Sequence, residues 1–210
     1  MQEGRCLIIA PLYAGEERAL LTPCKGDLLI CADAGYRAAR AHGLTPQLTI
    51  GDFDSLGFAP QEGEVLCLPV EKDDTDLVVC LREGRKRGYR HFVVAGCLGG
   101  RFDHTLASLQ CAADGALRGE SIWLCDGQNR VTVLAPGEHR IPRVKGRKLS
   151  LLAYSETVAG LTLTGTAWEL SDAVLTSRWP LGCSNEWRGD AAKLSFREGL
   201  LVLSISGDQA

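Results

Sequence analysis

Five short apolar runs, at residues 5–10, 27–32, 47–50, 91–95 and 121–125, punctuate the first 135 residues, with helix-like segments among them. The runs are apolar throughout rather than alternating, as strands are when helices cover both faces of a sheet. Residues 34–42 are rich in alanine and arginine and run into Gly43, a suitable residue just past a helix end. Residues 75–87 put Leu77, Val78 and Leu81 on one face behind Thr75 as N-cap. Residues 103–113 align Leu106, Leu109 and Ala113 in the same way. Strand and helix in alternation predict a doubly wound, mostly parallel sheet.

Beyond Pro136-Gly137 the helical periodicity stops. Short strands are expected at 148–154, 161–163, 173–175, 191–196 and 200–205, with turn residues between them. Arg197-Glu198-Gly199 between the last two reads as a hairpin turn. The second region is therefore expected to be an antiparallel β-sandwich, with an α/β domain over residues 1–138 and a β domain over 139–210.

The formal net charge of −3 supplies no basic field, which argues against nucleic acid as a partner. The local basic run Arg82, Arg85, Lys86 and Arg87 falls at the end of an expected helix, where cations oppose the negative end of the dipole. It reads as a solvated helix terminus before it reads as a phosphate site. No apolar stretch reaches the roughly 18–20 residues that span a bilayer, and residues 1–10 lack a signal-peptide core. Nine cysteines include no C-x-x-C pair, and Cys6, Cys31, Cys80, Cys97, Cys111 and Cys125 have apolar neighbours. Buried, reduced thiols in a cytoplasmic protein are expected.

Ligands of a parallel sheet bind beyond the carboxyl ends of its strands. Asp33 follows the second apolar run, and Asp52 and Asp54 follow the third within Gly51-Asp52-Phe53-Asp54-Ser55. Asp73 and Asp76, in Lys72-Asp73-Asp74-Thr75-Asp76, follow an apolar run at 66–70. Arg101, Asp103 and His104 follow the run ending in Ala95-Gly96. Four junctions thus bring five or more carboxylates to one edge. Such a group repels itself unless a cation compensates it, and Mg²⁺ suits a few carboxylates together with substrate phosphate oxygens.

Taken singly, each motif has a structural explanation. Asp-x-Asp caps turns, Asp73 or Thr75 caps a helix, and Asp103 suits a helix start. His104 in a first turn is an ordinary structural residue, and Trp168 an ordinary sandwich core aromatic. The convergence, not any one motif, points to metal-dependent nucleotide chemistry. Neither a Walker loop nor the kinase glycine-rich and His-Arg-Asp loops occur, so metal, carboxylates and Arg101 would carry that chemistry.

The ordered set Ala32-Asp33-x-Gly35, Gly51-Asp52-Phe53-Asp54-Ser55, Lys72-Asp73-x-Thr75-Asp76 and Gly99-Gly100-Arg101-x-Asp103-His104 resembles the thiamine pyrophosphokinase (thiamine diphosphokinase) family. The likeness continues through Asp126-x-x-Asn129, Trp168-Glu169-Leu170 and Gly182-x-Ser184-Asn185-Glu186, and so covers nearly the whole chain. The resemblance implies a homodimer with active sites between subunits, an N-terminal domain for ATP and Mg²⁺, and a C-terminal β-sandwich that helps bind thiamine. It implies pyrophosphoryl transfer from ATP to the thiamine hydroxyl, giving thiamine diphosphate and AMP. On that likeness Asp52, Asp54 and Asp73 are the metal group, and Asp54, Asp76, Arg101 and Asp103 the catalytic set. Asp33, Asp52, Lys72, Thr75, Arg101, His104 and Asn129 would serve ATP. Trp168 would stack on thiamine, with Ser184 and Asn185 as polar contacts. Two departures stand out. Pro11 lies in a first loop that is commonly glycine-rich in the family, and Ala34 replaces a common glycine, so its backbone must avoid positive φ.

Three other readings compete: pyrophosphoryl transfer to another heterocyclic alcohol such as a hydroxymethylpterin, a non-catalytic nucleotide or thiamine sensor, and a metal phosphohydrolase. The Trp168 and Ser184-Asn185 region favours thiamine over a pterin. The full carboxylate set disfavours a sensor, and product without an acceptor would mark a hydrolase.

Overall fold

The computed structural model describes residues 3–69, 71 and 73–208. Its contacts divide the chain into two compact units. One holds the residues up to Cys111 with Glu120–Gly127; the other holds Ala112–Gly119 and the residues from Gln128 onward. The division falls ahead of the Pro136-Gly137 punctuation because the strand at 129–134 ladders onto the one at 201–206.

The first unit runs β1 (Cys6–Ile9), α1 (Arg18–Leu21), β2 (Leu28–Ala32), α2 (Gly35–Ala41), β3 (Leu48–Gly51), β4 (Glu64–Cys67), α3 (Asp76–Lys86), β5 (His91–Ala95), the part of α4 (Phe102–Leu117) up to Cys111, and β6 (Ser121–Cys125). Its strands are parallel in the order β6-β5-β1-β2-β3-β4. The chain moves outward from β1 to β4, then returns to the far side of β1 for β5. The order therefore reverses between β1 and β5, where doubly wound sheets bind ligands.

All five apolar runs became strands. The fourth strand spans 64–67 rather than the expected 66–70, of which Val70 lies outside the described residues. It is a largely exposed edge strand, so burial imposes no strong apolar pattern on it.

Alternate side chains feed two cores. Leu7, Ile9, Leu29, Cys31, Val93 and Ala95 pack with Leu21 of α1 and Ala39 of α2. On the other face α3 approaches so closely that a Cβ at Gly84 would lie 2.6 Å from the Phe92 ring and 2.9 Å from Cys6 Sγ. Each fully buried Leu, Ile or Phe here contributes about 1.5–3 kcal/mol. Of the six cysteines expected in apolar surroundings, five are buried and Cys111 is half-buried; all nine are free thiols.

Charge closes the amino ends of the strands. Arg5, before β1, grips Asp27, before β2, at 2.6 Å. Glu120, before β6, is buried between Arg85 at 2.9 Å and Arg90 at 3.3 Å. Arg87 bridges Glu83 at 2.5 Å and Glu64 at 2.9 Å. The basic run does end α3, but its side chains are ion-paired rather than simply solvated.

The second unit contains β7 (Asn129–Leu134), β8 (Gly137–Pro142), β9 (Lys148–Ala153), β10 (Thr157–Thr164), β11 (Leu170–Thr176), β12 (Gly182–Asn185), β13 (Ala191–Phe196) and β14 (Leu201–Ser206). They form two antiparallel layers, β12-β9-β14-β7 and β11-β10-β13-β8. The hairpin expected between β13 and β14 does not form. β13 pairs with β10 and β8, and β14 with β7 and β9, so Arg197-Glu198-Gly199 carries the chain from one layer to the other. The N–H groups of Arg197 and Glu198 both donate to Ala159 O, which ties that crossing to β10. Among the described residues no helix is long and apolar enough to cross a membrane.

Candidate active site

The loops after β2 and β3 build the acidic centre. Asp33 adopts φ 44°, and its N–H donates to Ile50 O at 2.7 Å. That unfavourable conformation turns the chain into α2 while locking Asp33 against β3. A Cβ at Gly51 would sit 2.9 Å from Asp33 Cα and 3.2 Å from its Oδ1, so only glycine admits this approach. Ala34, at φ −59°, avoids the strain, and Gly35 is the position that tolerates no side chain, since a Cβ there would lie 2.1 Å from Ile9 O.

Phe53 provides the second turn. It takes φ 62° with its ring buried, and the carboxylates on either side converge. Asp33, Asp52 and Asp54 each offer an oxygen within 4.8 Å of the others. The Ser55 hydroxyl donates to Asp33 Oδ2, while Asp33 Oδ1 is buried without a hydrogen-bond partner. A buried carboxylate oxygen left open beside two further carboxylates could hold a cation.

A cleft of about 710 Å³ opens at the β1–β5 reversal. Asp33, Asp52, Thr75, Asp76, Arg101 and His104 all line it. Thr75 caps α3, accepting from the Val78 N–H at 3.4 Å, and Asp76 occupies the first helical turn. Arg101 makes a two-pronged pair with Asp103, Nε to Oδ1 at 3.1 Å and a terminal nitrogen to Oδ2 at 2.6 Å. This contact, with the His104 N–H at 2.9 Å, holds the exposed Asp103 carboxyl below its usual range. Cys97 also lines the cleft, but burial pushes its thiol up to about 12, so it is no nucleophile at neutral pH.

In the first loop Pro11 has no N–H, and its neighbours spend theirs internally. The Leu12 N–H is used by Gly96 O at 3.2 Å and the Tyr13 N–H by Ala10 O at 3.2 Å. Neither is left for a phosphate, and Pro11 and Leu12 instead give the cleft an apolar wall.

Three further expected site residues are Asp73, Asn129 and Lys72. Asp73 is exposed and outside the three-carboxylate group, while its neighbour Asp74 lines the cleft and pairs with Arg82 at 2.6 Å. Asn129 opens β7 in the second unit. Lys72 lies outside the described residues.

The second unit has its own pocket of about 520 Å³, lined by Trp168, Ser184 and Asn185 together with Leu151, Leu163 and Leu181. Trp168 is 62% exposed, whereas Trp187 is buried with its indole N–H on Ile141 O. Asn185 is buried, and its amide holds the Trp168 backbone at both N and O. Ser184 takes φ 63° at an irregularity in β12, and its N–H donates to Ser150 Oγ at 3.0 Å.

Comparison with known proteins decides the family. Residues 24–123 match the profile of the thiamin pyrophosphokinase catalytic domain, and residues 138–201 that of the thiamin pyrophosphokinase vitamin B1 binding domain. The chain belongs to the thiamine pyrophosphokinase family. It is 30% identical over 209 residues to the thiamine pyrophosphokinase of Bacillus subtilis (strain 168), covering 94% of this chain and 98% of that protein. The crystal structure of the Bacillus subtilis thiamine pyrophosphokinase superposes with a TM-score of 0.89 at 28% identity, over 99% of this chain and 100% of that one. A Geobacillus thermodenitrificans thiamin pyrophosphokinase follows at 0.83 and 28%, covering 98% and 99%. The Candida albicans enzyme shares the fold at 0.80 and 15% identity, over 97% and 89%.

Ser55, Asp74, Ser108 and Leu12 were not among the expected site residues, although Asp74, Ser108 and Leu12 line the cleft and Ser55 holds Asp33. Ser55 and Asp74 lie inside the quoted acidic motifs, which was the available signal. Ser108, in the second turn of α4, carries none.

Proposed function

We propose that this chain is a Mg²⁺- and ATP-dependent thiamine pyrophosphokinase that transfers the β,γ-pyrophosphoryl group of ATP to the thiamine hydroxyl, releasing AMP. The observation that carries the reading is the convergence of Asp33, Asp52 and Asp54, with the buried Oδ1 of Asp33 open, at the edge of a cleft that also holds Asp76, Arg101 and His104. The donor set is hard oxygen throughout, which fits Mg²⁺. Asp33, Asp52 and Asp54 would hold the ion, with Asp73 as a further ligand from the loop before α3. A Mg²⁺ ion held by these carboxylates would supply positive charge to offset that developing on the transferred group.

The chain's own residues do the rest. Arg101 would leave Asp103 for the phosphate oxygens, for which its planar donor fork is suited. Release of Arg101 would free Asp103, near the start of α4, to accept a proton or orient the thiamine hydroxyl, with Asp76 as the alternative acceptor. Thr75 and His104 would line the nucleotide, with Lys72 and Asn129 as further contacts. Thiamine is cationic, and Trp168 in a largely apolar pocket would present a ring face to it, with Ser184 as a polar contact. In this reading the working form is a homodimer in the cytoplasm, with each active site between subunits.

Product analysis tests it. The purified protein with ATP and Mg²⁺ should form AMP only when thiamine is added, in amounts matching thiamine diphosphate. ADP and phosphate formed regardless of thiamine would replace this reading with a hydrolase.

A further inference from the structure

Trp187, bridged to Thr166, and Trp168, two residues beyond Thr166, are handled in opposite ways. Trp187 is buried with its indole nitrogen satisfied, as a core aromatic should be. Trp168 leaves its ring in solvent while its backbone is tied down from within. Asn185 Oδ1 accepts from the Trp168 N–H at 3.1 Å, and Asn185 Nδ2 donates to Trp168 O at 2.7 Å. The Thr166 hydroxyl donates to the same carbonyl at 3.1 Å. Asn185 is itself fixed by the Glu186 N–H on Oδ1 at 2.8 Å. Only one amide orientation satisfies all of these partners.

We propose that Asn185 is a positioning residue for the Trp168 indole: its buried amide clamps the Trp168 backbone so that the exposed ring is held ready for a flat cationic ligand. The inference rests on the reading that thiamine stacks on Trp168. Asn185 reaches its place through a register shift in β12 between Gly182 and Asn185, beside Ser184 at positive φ. A regular strand would not need that strained residue, and the irregularity delivers an inward-facing asparagine next to outward-facing Ser184. With Oδ1 accepting twice and Nδ2 already donating, Asn185 acts on a ligand through the tryptophan. A pre-set ring avoids the ordering cost that a mobile exposed indole would incur on binding.

The test is a double-mutant cycle on Trp168→Ala and Asn185→Ala, with Asn185→Ser as a second variant. Thiamine affinity is read by calorimetry, the rate at saturating thiamine by AMP release, and folding by the thermal midpoint. Asn185→Ala should weaken thiamine binding about tenfold, with the loss in affinity and not in the saturated rate. The double variant should bind no worse than Trp168→Ala alone. Asn185→Ser keeps a small polar group that cannot reach both Trp168 N and O, so its loss should be similar; it carries the test if Asn185→Ala does not fold. Unchanged affinity in a folded Asn185 variant, or penalties that add in the double variant, would overturn the inference while leaving thiamine at Trp168. Unchanged affinity in Trp168→Ala would remove thiamine from Trp168, and the inference with it.

Discussion

At the amino ends of the six parallel strands, Asp27 and Glu120 are buried against guanidinium groups. At the carboxyl ends, Asp33, Asp52 and Asp54 crowd within 4.8 Å, and Asp33 Oδ1 is buried without a partner. The backbone follows the same division. Positive φ at Asp33 and Phe53 falls at the carboxyl edge, in the turns that aim these carboxylates. One edge satisfies its charges internally; the other holds strained turns and a crowded carboxylate group with an open oxygen, where the proposed function puts its cation. Stability and chemistry are thus assigned to opposite edges of one sheet, and substitutions at the two should have opposite signatures.

The largest effect is expected from Asp54→Asn. Turnover should fall about 10³-fold, with a thermal midpoint at or above wild type because a mutually repelling carboxylate is gone. A folded variant with wild-type turnover would take Asp54 out of the site. Glu120→Ala should do the reverse, costing about 1–3 kcal/mol in urea unfolding because the partly exposed Arg85 and Arg90 lose their charged hydrogen-bond partner. Its KM values below the melting range should be unchanged; a loss under about 1 kcal/mol would mean that the amino edge is not held by charge.

Ser55→Ala sharpens the contrast further. Loss of the hydroxyl that orients Asp33 should raise the Mg²⁺ concentration for half-maximal rate about tenfold, with stability little changed. A wild-type Mg²⁺ dependence would show that Asp33 needs no such support.

The smallest effect is at Asp27. Burial raises its pKa, but the Arg5 guanidinium and the N–H groups of Cys24 and Arg5 outweigh burial and leave it below the ordinary 3.8. The folded state therefore binds fewer protons than the unfolded one in that range. Its contribution is complete above the ordinary value and is lost as pH falls through the folded value. Asp27→Asn should flatten the acid limb of the stability curve below about pH 4; an unaltered limb would show that the Arg5 pair adds nothing to acid stability.

The carboxyl edge was legible because its signals are local: an apolar run of four to six residues, then an acidic turn, repeated. Runs such as 5–10 and 91–95 are buried on both faces, and burial leaves an unbroken apolar imprint. β4 shifted because an edge strand with exposed side chains carries little of that imprint. The four-residue α1 is shorter than helical periodicity can register. Arg197-Glu198-Gly199 has good turn chemistry, yet turn chemistry does not choose partners, and the flanking strands joined different layers. In the site, Asp33 could be assigned to the correct edge from sequence, but not to the trio with Asp52 and Asp54, because the φ values of Asp33 and Phe53 aim the carboxylates. Asn185 reads as one more polar contact until the Trp168 backbone is found in its grasp.

The most direct measurement is a Mn²⁺ titration followed by the electron paramagnetic resonance signal of the free ion, comparing wild type with the triple variant Asp33→Asn, Asp52→Asn, Asp54→Asn. The carboxyl edge as a cation site predicts an ion bound by the wild type and lost from the triple variant, with the fold retained in both. Equal binding by the two proteins would contradict it.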